Sequence, residues 1–251
     1  MIRIQHLTLA FGDHLIFDDL NIHFPPQQWI ALLGPSGVGK STLLRAIAGL
    51  EKNAIQQGQI QRGGKLAWLA QRDSLYPWLS IVDNVRLQAC LTGQKNSQNE
   101  ERAKQLLQIV GLEKHWHKAC YQLSGGQRQR VALARTLMQE SDIVLMDEPF
   151  SALDAVTKLQ LQNLAYELLQ DKSVILITHD PQEALRLAHQ IYVLQTYNEQ
   201  GQARFAQGIT LPSTQYGPAP RGLNQENLWQ LQQQLFAQLM GNTENANNKN
   251  R

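Results

Sequence analysis

The chain has 251 residues, of which 43% are hydrophobic and 18% charged, a balance that suits one large globular domain or a core with a subdomain. The net charge of +2 provides no strong field for nucleic acid or for an anionic membrane, so we expect no nucleic-acid partner. The two cysteines, Cys90 and Cys120, match no disulfide framework or metal site, and no apolar run approaches the roughly 20 residues of a membrane span.

The first part of the chain predicts strands that lead into a glycine loop and a helix. Residues 2–11 alternate between apolar and polar side chains, which favours a strand, and residues 21–34 predict another strand pair. Residues 40–50 have helical spacing, and residues 57–71 predict two short strands broken at a glycine pair.

The middle of the chain changes character. Between about residues 73 and 140 the strand patterns stop and helical patterns dominate, so we predict an inserted helical subdomain. Within it, the polar run at 92–99 predicts a solvated loop. His115 and His117 are interpreted as surface residues and not as metal ligands.

The next part alternates buried strands with helices, which is typical of an α/β fold with a parallel sheet. Apolar runs within 141–149 and 172–180 predict strands that are buried on both faces, and a helical pattern follows each of them. Residues 191–209 predict a strand, a turn and a second strand.

The C-terminal region has three predicted segments. Residues 211–223 are rich in proline and glycine and predict a linker. Residues 224–240 predict an amphipathic helix, and residues 241–251 predict a disordered tail. The helix is indicated by leucines at helical spacing, namely Leu228, Leu231, Leu235 and Leu239.

The stretch LLGPSGVGKST follows the pattern G-x-x-x-x-G-K-[ST] between a predicted strand and a predicted helix. In such a loop the glycines let backbone N–H groups surround phosphate oxygens, Lys40 places a charge on the outer phosphates, and Ser41 offers a hydroxyl to Mg²⁺. A chance glycine turn is the alternative, and the flanking elements make it the weaker one. The candidate nucleotide-binding residues are Gly34, Pro35, Ser36, Gly37, Val38, Gly39, Lys40, Ser41 and Thr42.

Two acidic residues end the apolar run IVLM, at the edge where ligands bind in open α/β sheets. Asp147 is the candidate magnesium ligand, and Glu148 is the candidate general base for an attacking water. An acidic pair that caps a helix is the alternative, and it would be favoured if the phosphate loop were not present.

Gln71 and His179 are single polar candidates at the ends of predicted strands. The amide of Gln71 suits a contact with the metal or the water, and a neutral imidazole at His179 suits a contact with a γ-phosphate. The alternatives are a solvated glutamine and a structural histidine.

A second stretch, YQLSGGQRQRVALARTL, has the form of half a phosphate site. Its glycine pair opens onto a predicted helix, whose first N–H groups suit an anion. It has no lysine placed on the phosphates, however, and no buried strand precedes it.

Together these motifs resemble the ATPase subunits of ABC transporters. LSGGQ lies between a Walker A loop and a Walker B strand, and the order continues with SALD at 151–154 and then His179. Phe11 stands where the family has an aromatic residue that stacks on adenine. The resemblance covers about Ile2 to Ile209. It implies an ATPase domain of residues 1–210, with a P-loop NTPase (RecA-like) α/β core, an N-terminal antiparallel β part and an inserted α-helical signature subdomain.

The resemblance implies a head-to-tail pair of subunits that hydrolyses ATP to ADP and phosphate with Mg²⁺. Each ATP lies between the Walker A loop of one copy and the LSGGQ of a second copy, which explains the half-site. The residues implied to bind the ATP of the second copy are Ser124, Gly125, Gly126 and Gln127. Asp154 is implied to act across the interface between the two copies. The implied catalytic residues are Glu148, His179, Gln71 and Lys40, and the implied magnesium ligands are Ser41, Gln71 and Asp147.

An aromatic knot, Tyr76, Pro77, Trp78 and Leu79, follows Gln71 where a polar loop is expected. Exposed clusters of this kind mark contacts, although Trp78 packed within the subdomain is the alternative. In the family this segment receives a membrane permease. The resemblance therefore implies permease subunits, a periplasmic or lipid-anchored binding protein, and a peripheral position on the cytoplasmic face of the cell membrane.

The segment around the knot and the later DEPFSALDA resemble the importer branch for nitrate, alkanesulfonates, taurine and a thiamine pyrimidine precursor. Within that branch, WLAQRDSLYPWLSIVDNV and DPQEALRLAHQIYVL most resemble the members that serve the thiamine pyrimidine, so we predict this cargo, with taurine, an alkanesulfonate or nitrate as alternatives. A soluble single-cassette ABC ATPase in cofactor assembly is the rival of a different class.

The sequence departs from the family before the Walker A strand, after Gln71 and at Phe11, which lacks a tyrosine hydroxyl but keeps its ring for stacking. Gln27 and Gln28 replace the usual Gly-Glu before the Walker A strand, and Tyr76 replaces a leucine. Neither change removes a catalytic group.

Overall fold

A computed structural model describes residues 1–116, 118–196, 202–206, 208–222 and 226–247, with side chains up to residue 239 of the last helix. His117 and the turn predicted between the strands of 191–209 therefore lie, wholly or in part, outside the described residues. The chain forms two compact units, the first of Met1–Gly64 with Gln170–Arg251 and the second of Lys65–Leu169.

The elements of the described residues are numbered in chain order. The strands are β1 (Ile2–Phe11), β2 (His14–Phe24), β3 (Trp29–Leu33), β4 (Ile55–Arg62), β5 (Leu66–Leu69), β6 (Ile143–Asp147), β7 (Ser173–Thr178), β8 (Gln190–Thr196), β9 (Ala203–Phe205) and β10 (Ile209–Thr210). The α-helices are α1 (Lys40–Ala48), α2 (Ile81–Val85), α3 (Leu87–Leu91), α4 (Ser97–Ile109), α5 (Gly125–Leu137), α6 (Ala155–Leu169), α7 (Pro181–Leu187), α8 (Ser213–Tyr216) and α9 (Glu226–Asn247).

An antiparallel sheet of order β2-β1-β4 opens the first unit, as predicted. The buried residues of β1 change phase along the strand, because Ile2 and Ile4 are followed by Leu7 and Leu9. The register shifts between Ile4 and Leu7, and His6 has φ 50, so a bulge returns the apolar side chains to one face.

The first unit also contains the sheet that carries the phosphate loop. β3 pairs in parallel with β7 on one side and β8 on the other, and all five residues of β3 are buried. A strand covered on both faces has no polar alternation, which is why WIALL reads as a continuous apolar run. β9 and β10 each pair with β8 antiparallel.

The predicted linker, 211–223, packs against the first unit over its described residues. It contains α8, and its Leu211 and Arg221 are almost fully buried. Proline and glycine indicated the turns correctly, but they do not report burial, which here depends on the neighbouring elements.

The predicted C-terminal helix is α9, and it packs on the core. Leu228, Leu231 and Leu235 are buried in one cluster with residues of β3, α7 and β8. The helix runs to Asn247, seven residues beyond the predicted end at 240, and residues 248–251 lie outside the described residues. The prediction stopped at 240 because the apolar period ends there.

The second unit is larger than the predicted subdomain of 73–140, because β5, β6 and α6 belong to it. β5 and β6 pair in parallel, and α5 contacts β5, α2, α4 and α6. The predicted loop at 92–99 is shorter than expected. Helix α4 already begins at Ser97, because the Asn96 side chain accepts a hydrogen bond from the Asn99 N–H at 2.7 Å and so caps the helix.

Candidate nucleotide site

The phosphate loop lies between β3 and α1, as predicted. Gly39 has φ 102, and a Cβ there would lie 2.6 Å from Cγ2 of Ile16. Both the backbone conformation and the packing therefore require glycine at this position. The N-terminus of α1 follows directly, where unpaired backbone N–H groups suit a phosphate.

The ammonium group of Lys40 is folded back over this loop. Its Nζ donates hydrogen bonds to the carbonyl oxygens of Gly34 and Pro35, both at 2.8 Å, and only 5% of the residue is exposed. A buried cation held among loop carbonyls fits a site that receives an anion, since phosphate oxygens would complete its neutralisation.

His179 lies at the same sheet edge as the loop. In the parallel register Leu33 of β3 is opposite Thr178 of β7, so Gly34 and His179 follow neighbouring strand ends. His179 is exposed there, while Thr178 Oγ1 donates to the buried carboxylate of Glu183 at 2.7 Å. The structure therefore brings the predicted histidine next to the phosphate loop.

In the second unit, β5 and β6 end side by side, with Leu69 opposite Met146. Gln71 and Glu148 follow these two ends and meet, because Gln71 Nε2 lies 3.5 Å from Oε2 of Glu148. This distance is at the long end of the range for a hydrogen bond. Two residues that were predicted separately thus form one polar cluster.

The backbone of Glu148 is in the left-handed region, with φ 47. Such a conformation is uncommon for residues other than glycine and concentrates at functional sites. Ser151 holds it in place, because its backbone N–H and its hydroxyl donate to the Glu148 carbonyl at 3.3 and 3.0 Å. Ser151 Oγ also lies 3.4 Å from Gln71 Nε2, so it is a member of the cluster that its residue type alone did not single out.

LSGGQ begins α5 with a reciprocal cap. Ser124 Oγ accepts from the Gln127 N–H at 3.3 Å, and Gln127 Oε1 accepts from the Ser124 N–H at 3.0 Å. Gly126 is a close-packing site, since a Cβ there would lie 2.5 Å from Cγ2 of Thr157. The loop is thereby held as a helix N-terminus whose serine hydroxyl proton stays available to an anion.

Asp154 is held by a local hydrogen bond, whereas Phe11 lies exposed at the end of a strand. Asp154 Oδ1 accepts from the Thr157 N–H at 3.0 Å, and this bond lowers the pKa of the Asp154 carboxyl. Phe11 ends β1 with 46% of its surface exposed, which leaves its ring face open for stacking.

Trp78 of the aromatic knot is 75% exposed, which disagrees with packing inside the subdomain. Its ring lies edge-on to that of Tyr76, with centroids 5.2 Å apart. The buried Asn84 holds the segment, because its Oδ1 accepts from the Tyr76 N–H and its Nδ2 donates to the carbonyls of Tyr76, Leu79 and Ser80. A fixed loop with an exposed tryptophan suits a contact surface.

Residues 17–151 match the protein family described as ABC transporter, which is more than half of the chain. The chain belongs to this family. The ATP-binding cassette fold that the resemblance implied is confirmed, and so is the enzyme class, an ATPase.

Several relatives of this cassette are known by sequence. An uncharacterized ABC transporter ATP-binding protein of Haemophilus influenzae is 58% identical over 96% of this chain and 99% of its own length. The aliphatic sulfonates import ATP-binding protein SsuB 1 of Paracoccus denitrificans is 40% identical over 77% of this chain and 78% of its own. The taurine import ATP-binding protein TauB of Escherichia coli K12 is 41% identical over 77% of this chain and 79% of its own.

Solved cassettes have the same architecture. The ATP-binding cassette MJ0796, as a dimer in a post-hydrolysis state bound to ADP and phosphate, is 27% identical with a TM-score of 0.71. The match covers 84% of this chain and 99% of the MJ0796 chain. A second dimeric structure of MJ0796 is 28% identical with a TM-score of 0.70, over the same shares of the two chains.

The structure also shows cassette residues that sequence reasoning missed. Gln129 is buried and donates to the Pro149 carbonyl at 2.7 Å, which ties α5 to the segment after Glu148. Its place in the LSGGQRQR run was visible, but glutamines on a helix usually face solvent. Asn84 was missed for the same reason, because burial of a polar side chain has no signature in the local pattern.

Proposed function

We propose that this chain is the ATP-hydrolysing subunit of a bacterial ABC importer, on the cytoplasmic face of the cell membrane. The observation that carries the hydrolytic part is the cluster of Gln71, Glu148 and Ser151 at the ends of two paired strands. The importer part is supported by the relatives named as import ATP-binding proteins. Among the described residues, none of the helices has both the length and the apolar character needed to cross a bilayer.

In the first unit, we assign phosphate binding to the loop after β3. Lys40 exchanges its contacts with the Gly34 and Pro35 carbonyls for phosphate oxygens, and the N–H groups at the start of α1 donate to the same anion. His179 donates to the γ-phosphate from the neighbouring strand end, and Phe11 stacks on the adenine.

In the second unit, Glu148 acts as the general base that takes a proton from the attacking water. The Gln71 amide orients the carboxylate and the water from the adjoining strand end. Gln71 and Asp147 of this unit carry hard oxygen donors of the kind that magnesium prefers, and so does Ser41 of the first unit. When bound there, Mg²⁺ neutralises charge on the phosphates.

The signature loop serves the ATP of a second copy. Ser124 and the N–H groups of Gly125 and Gly126 form a helix N-terminus without a lysine, which suits a γ-phosphate whose lysine comes from the other subunit. The reciprocal cap with Gln127 keeps these donors in place, and Asp154 acts across the interface. The solved dimers of MJ0796 support pairing of this kind.

The aromatic knot docks a membrane permease, which works with a periplasmic or lipid-anchored binding protein. In the same unit as the knot, a groove of about 780 Å³ has a mixed lining, with apolar residues such as Trp68, Leu87 and Leu91 and polar residues such as Arg86, Gln88 and Arg135. Leu91 is 74% exposed and Trp78 is 75% exposed, so two large apolar side chains face solvent in one unit. An exposed leucine in the groove and an exposed tryptophan in the same unit fit an inserted helix of another chain. This surface also argues against the soluble cofactor-assembly ATPase.

For the cargo, an organic sulfonate such as taurine is better supported than the thiamine pyrimidine. The relatives at 40% and 41% identity are named for sulfonates and taurine, whereas the pyrimidine rests only on the resemblance of two stretches of the sequence, the one around the knot and residues 180–194. The ATPase does not touch the cargo, so its own site cannot choose between them.

Glu148→Gln tests the assigned chemistry. We expect ATP to bind as before while hydrolysis falls about 10²- to 10⁴-fold, because an amide cannot take the proton from water. The variant should accumulate as a dimer with Mg-ATP in sedimentation velocity. Glu101→Gln, an exposed glutamate on α4, is the matched control and should hydrolyse ATP normally. Normal hydrolysis by Glu148→Gln would contradict the assignment.

A growth panel tests the importer and its cargo. A strain that lacks the gene receives taurine, an alkanesulfonate, nitrate or the thiamine pyrimidine as the limiting nutrient. Loss of growth on a sulfonate, restored by the wild type but not by Glu148→Gln, would support the sulfonate. Loss on the pyrimidine alone would support that cargo instead. Growth on all four, together with no permease co-purifying, would favour the soluble cofactor-assembly ATPase.

A further inference from the structure

His115 ends a short turn, Glu113–His115, that has no role in the chemistry above. Its Nε2 lies 3.4 Å from Nε2 of Gln127, the third residue of α5. Its other ring nitrogen, Nδ1, is buried and has no hydrogen-bond partner among the described residues. The histidine predicted as a surface residue is thus half-buried against the signature loop.

The orientation of the Gln127 amide is set by Ser124. Gln127 Oε1 accepts from the Ser124 N–H at 3.0 Å, and a flipped amide would bring two donors together there. The NH₂ group of Gln127 must therefore face His115. Since an amide nitrogen only donates, the His115 Nε2 must accept, which requires a neutral ring with its proton on Nδ1.

We infer that His115 is a positioning residue for the signature loop. By holding the Gln127 amide, it keeps Gln127 Oε1 on the Ser124 N–H and so maintains the reciprocal cap. The cap leaves the Ser124 hydroxyl proton and the first N–H groups of α5 available to the γ-phosphate of the second copy. This inference rests on the proposed role of the signature loop.

The backbone of His115 is anchored without help from its ring. Its N–H donates to the Leu112 carbonyl at 3.0 Å, and its own carbonyl accepts from the Lys118 N–H at 2.9 Å. The neighbouring Trp116 lies beneath Lys104, with Nζ 5.7 Å from the ring centre. A change of the side chain at 115 therefore removes the contact to Gln127 while the turn remains held.

The test compares His115→Leu with His115→Gln, each made in full-length Glu148→Gln protein so that ATP is not consumed. Leucine lacks an acceptor, whereas glutamine offers a carbonyl oxygen near the position of Nε2. With Mg-ATP, we expect His115→Leu to raise the protein concentration for half-maximal dimer about 3- to 10-fold, the value of one neutral hydrogen bond. His115→Gln should restore it. Binding of ATP by the monomer should stay unchanged in both, because it uses the phosphate loop.

Two further variants separate the possible failures. Ser124→Ala should weaken the dimer in the same assay. When Gln127 has already been replaced by alanine, His115→Leu should cause little further weakening of the dimer, because its partner side chain is gone. If Ser124→Ala weakens the dimer but His115→Leu does not, the inference about His115 is wrong while the proposed function stands. Equal weakening by leucine and glutamine at 115 would also overturn it, since that indicates a general packing role. If Ser124→Ala has no effect, the proposed role of the signature loop fails first and the inference fails with it.

Discussion

Gln27 adopts a backbone conformation that ordinarily belongs to glycine. Its φ is 54, and it occupies the place where ABC ATPases usually have glycine before the Walker A strand. Its N–H donates to Ser173 Oγ at 2.9 Å, which ties the turn to the start of β7. The family preference thus has a physical reason, since an L-residue in the left-handed region is strained by its Cβ.

Gln27→Gly should therefore stabilise the protein. Relief of the left-handed strain outweighs the entropy that glycine adds to the unfolded chain, so we expect the free energy of unfolding to rise by about 0.5–1 kcal/mol. Urea unfolding followed by circular dichroism measures the change. Gln27→Ala keeps the Cβ and should leave stability nearly unchanged, so a glycine variant no more stable than the alanine variant would refute the argument.

At the scale of elements, the signature helix α5 holds the segment that follows Gln71. Arg128 Nε donates to the Asp73 carboxylate at 2.8 Å, and Arg135 donates to the backbone carbonyls of Asp73 and Ser74 at 2.6 and 2.9 Å. Burial lowers the pKa of the Arg135 guanidinium. The two arginines therefore connect the start of the knot-bearing loop with the helix that begins at LSGGQ.

The C-terminal segment is fastened to α7 by Arg221. This arginine is 2% exposed, and its guanidinium donates to the carbonyls of Gly217, Leu185, Ala188 and Leu211. Two of these carbonyls lie at the C-terminal end of α7, where helix carbonyls lack partners within the helix and favour a cation. The segment predicted as a linker is in effect a cap for the helix that follows His179.

Arg221→Met should destabilise the first unit. Methionine keeps the apolar stem but leaves several buried carbonyls unpaired, so we expect the free energy of unfolding to fall by roughly 2–3 kcal/mol. Arg3→Met, an exposed arginine on β1, should change it by less than about 0.5 kcal/mol. Urea unfolding midpoints would show the difference, and equal stability of the two variants would mean that the cap contributes nothing.

At the scale of the whole molecule, stability should depend on pH through His189. Burial lowers the pKa of this half-buried ring, and the charge of Arg221 lowers it further. Its Nδ1 accepts from the Trp29 N–H at 3.0 Å, an arrangement that needs the neutral ring. The unfolded chain therefore takes up a proton near the ordinary value of about 6.5, at a pH where the folded chain does not.

This difference in proton uptake makes the folded protein less stable as the solution becomes more acidic. The stabilisation of the fold by neutral His189 is fully present above the pKa that the group has in the unfolded chain. It is lost as the pH falls toward the lower pKa of the same group in the folded chain. Between pH 7.5 and 5.5, the midpoint temperature of thermal unfolding should fall less steeply in His189→Asn than in the wild type. The asparagine side chain can still accept a hydrogen bond from the Trp29 N–H. His23→Asn, on β2, should keep the full decline. An unchanged slope in His189→Asn would assign the dependence to other groups.

The sequence by itself determined the backbone features and the chemical groups of the site. The phosphate loop, the strands that precede Gln71, Glu148 and His179, and the start of the LSGGQ helix follow from glycine positions, apolar periods and caps. These features act over a few residues, so their physical causes are written in the local sequence.

Only the tertiary structure decided which of these groups meet. Gln71 and Glu148 are 77 residues apart in the chain, and their contact depends on the pairing of β5 with β6. The burial of Arg221, the exposure of Trp78 and the contact of His115 with Gln127 likewise depend on how separate elements pack. Packing is a property of side chains from distant segments filling one volume, and no local period of apolar residues encodes it.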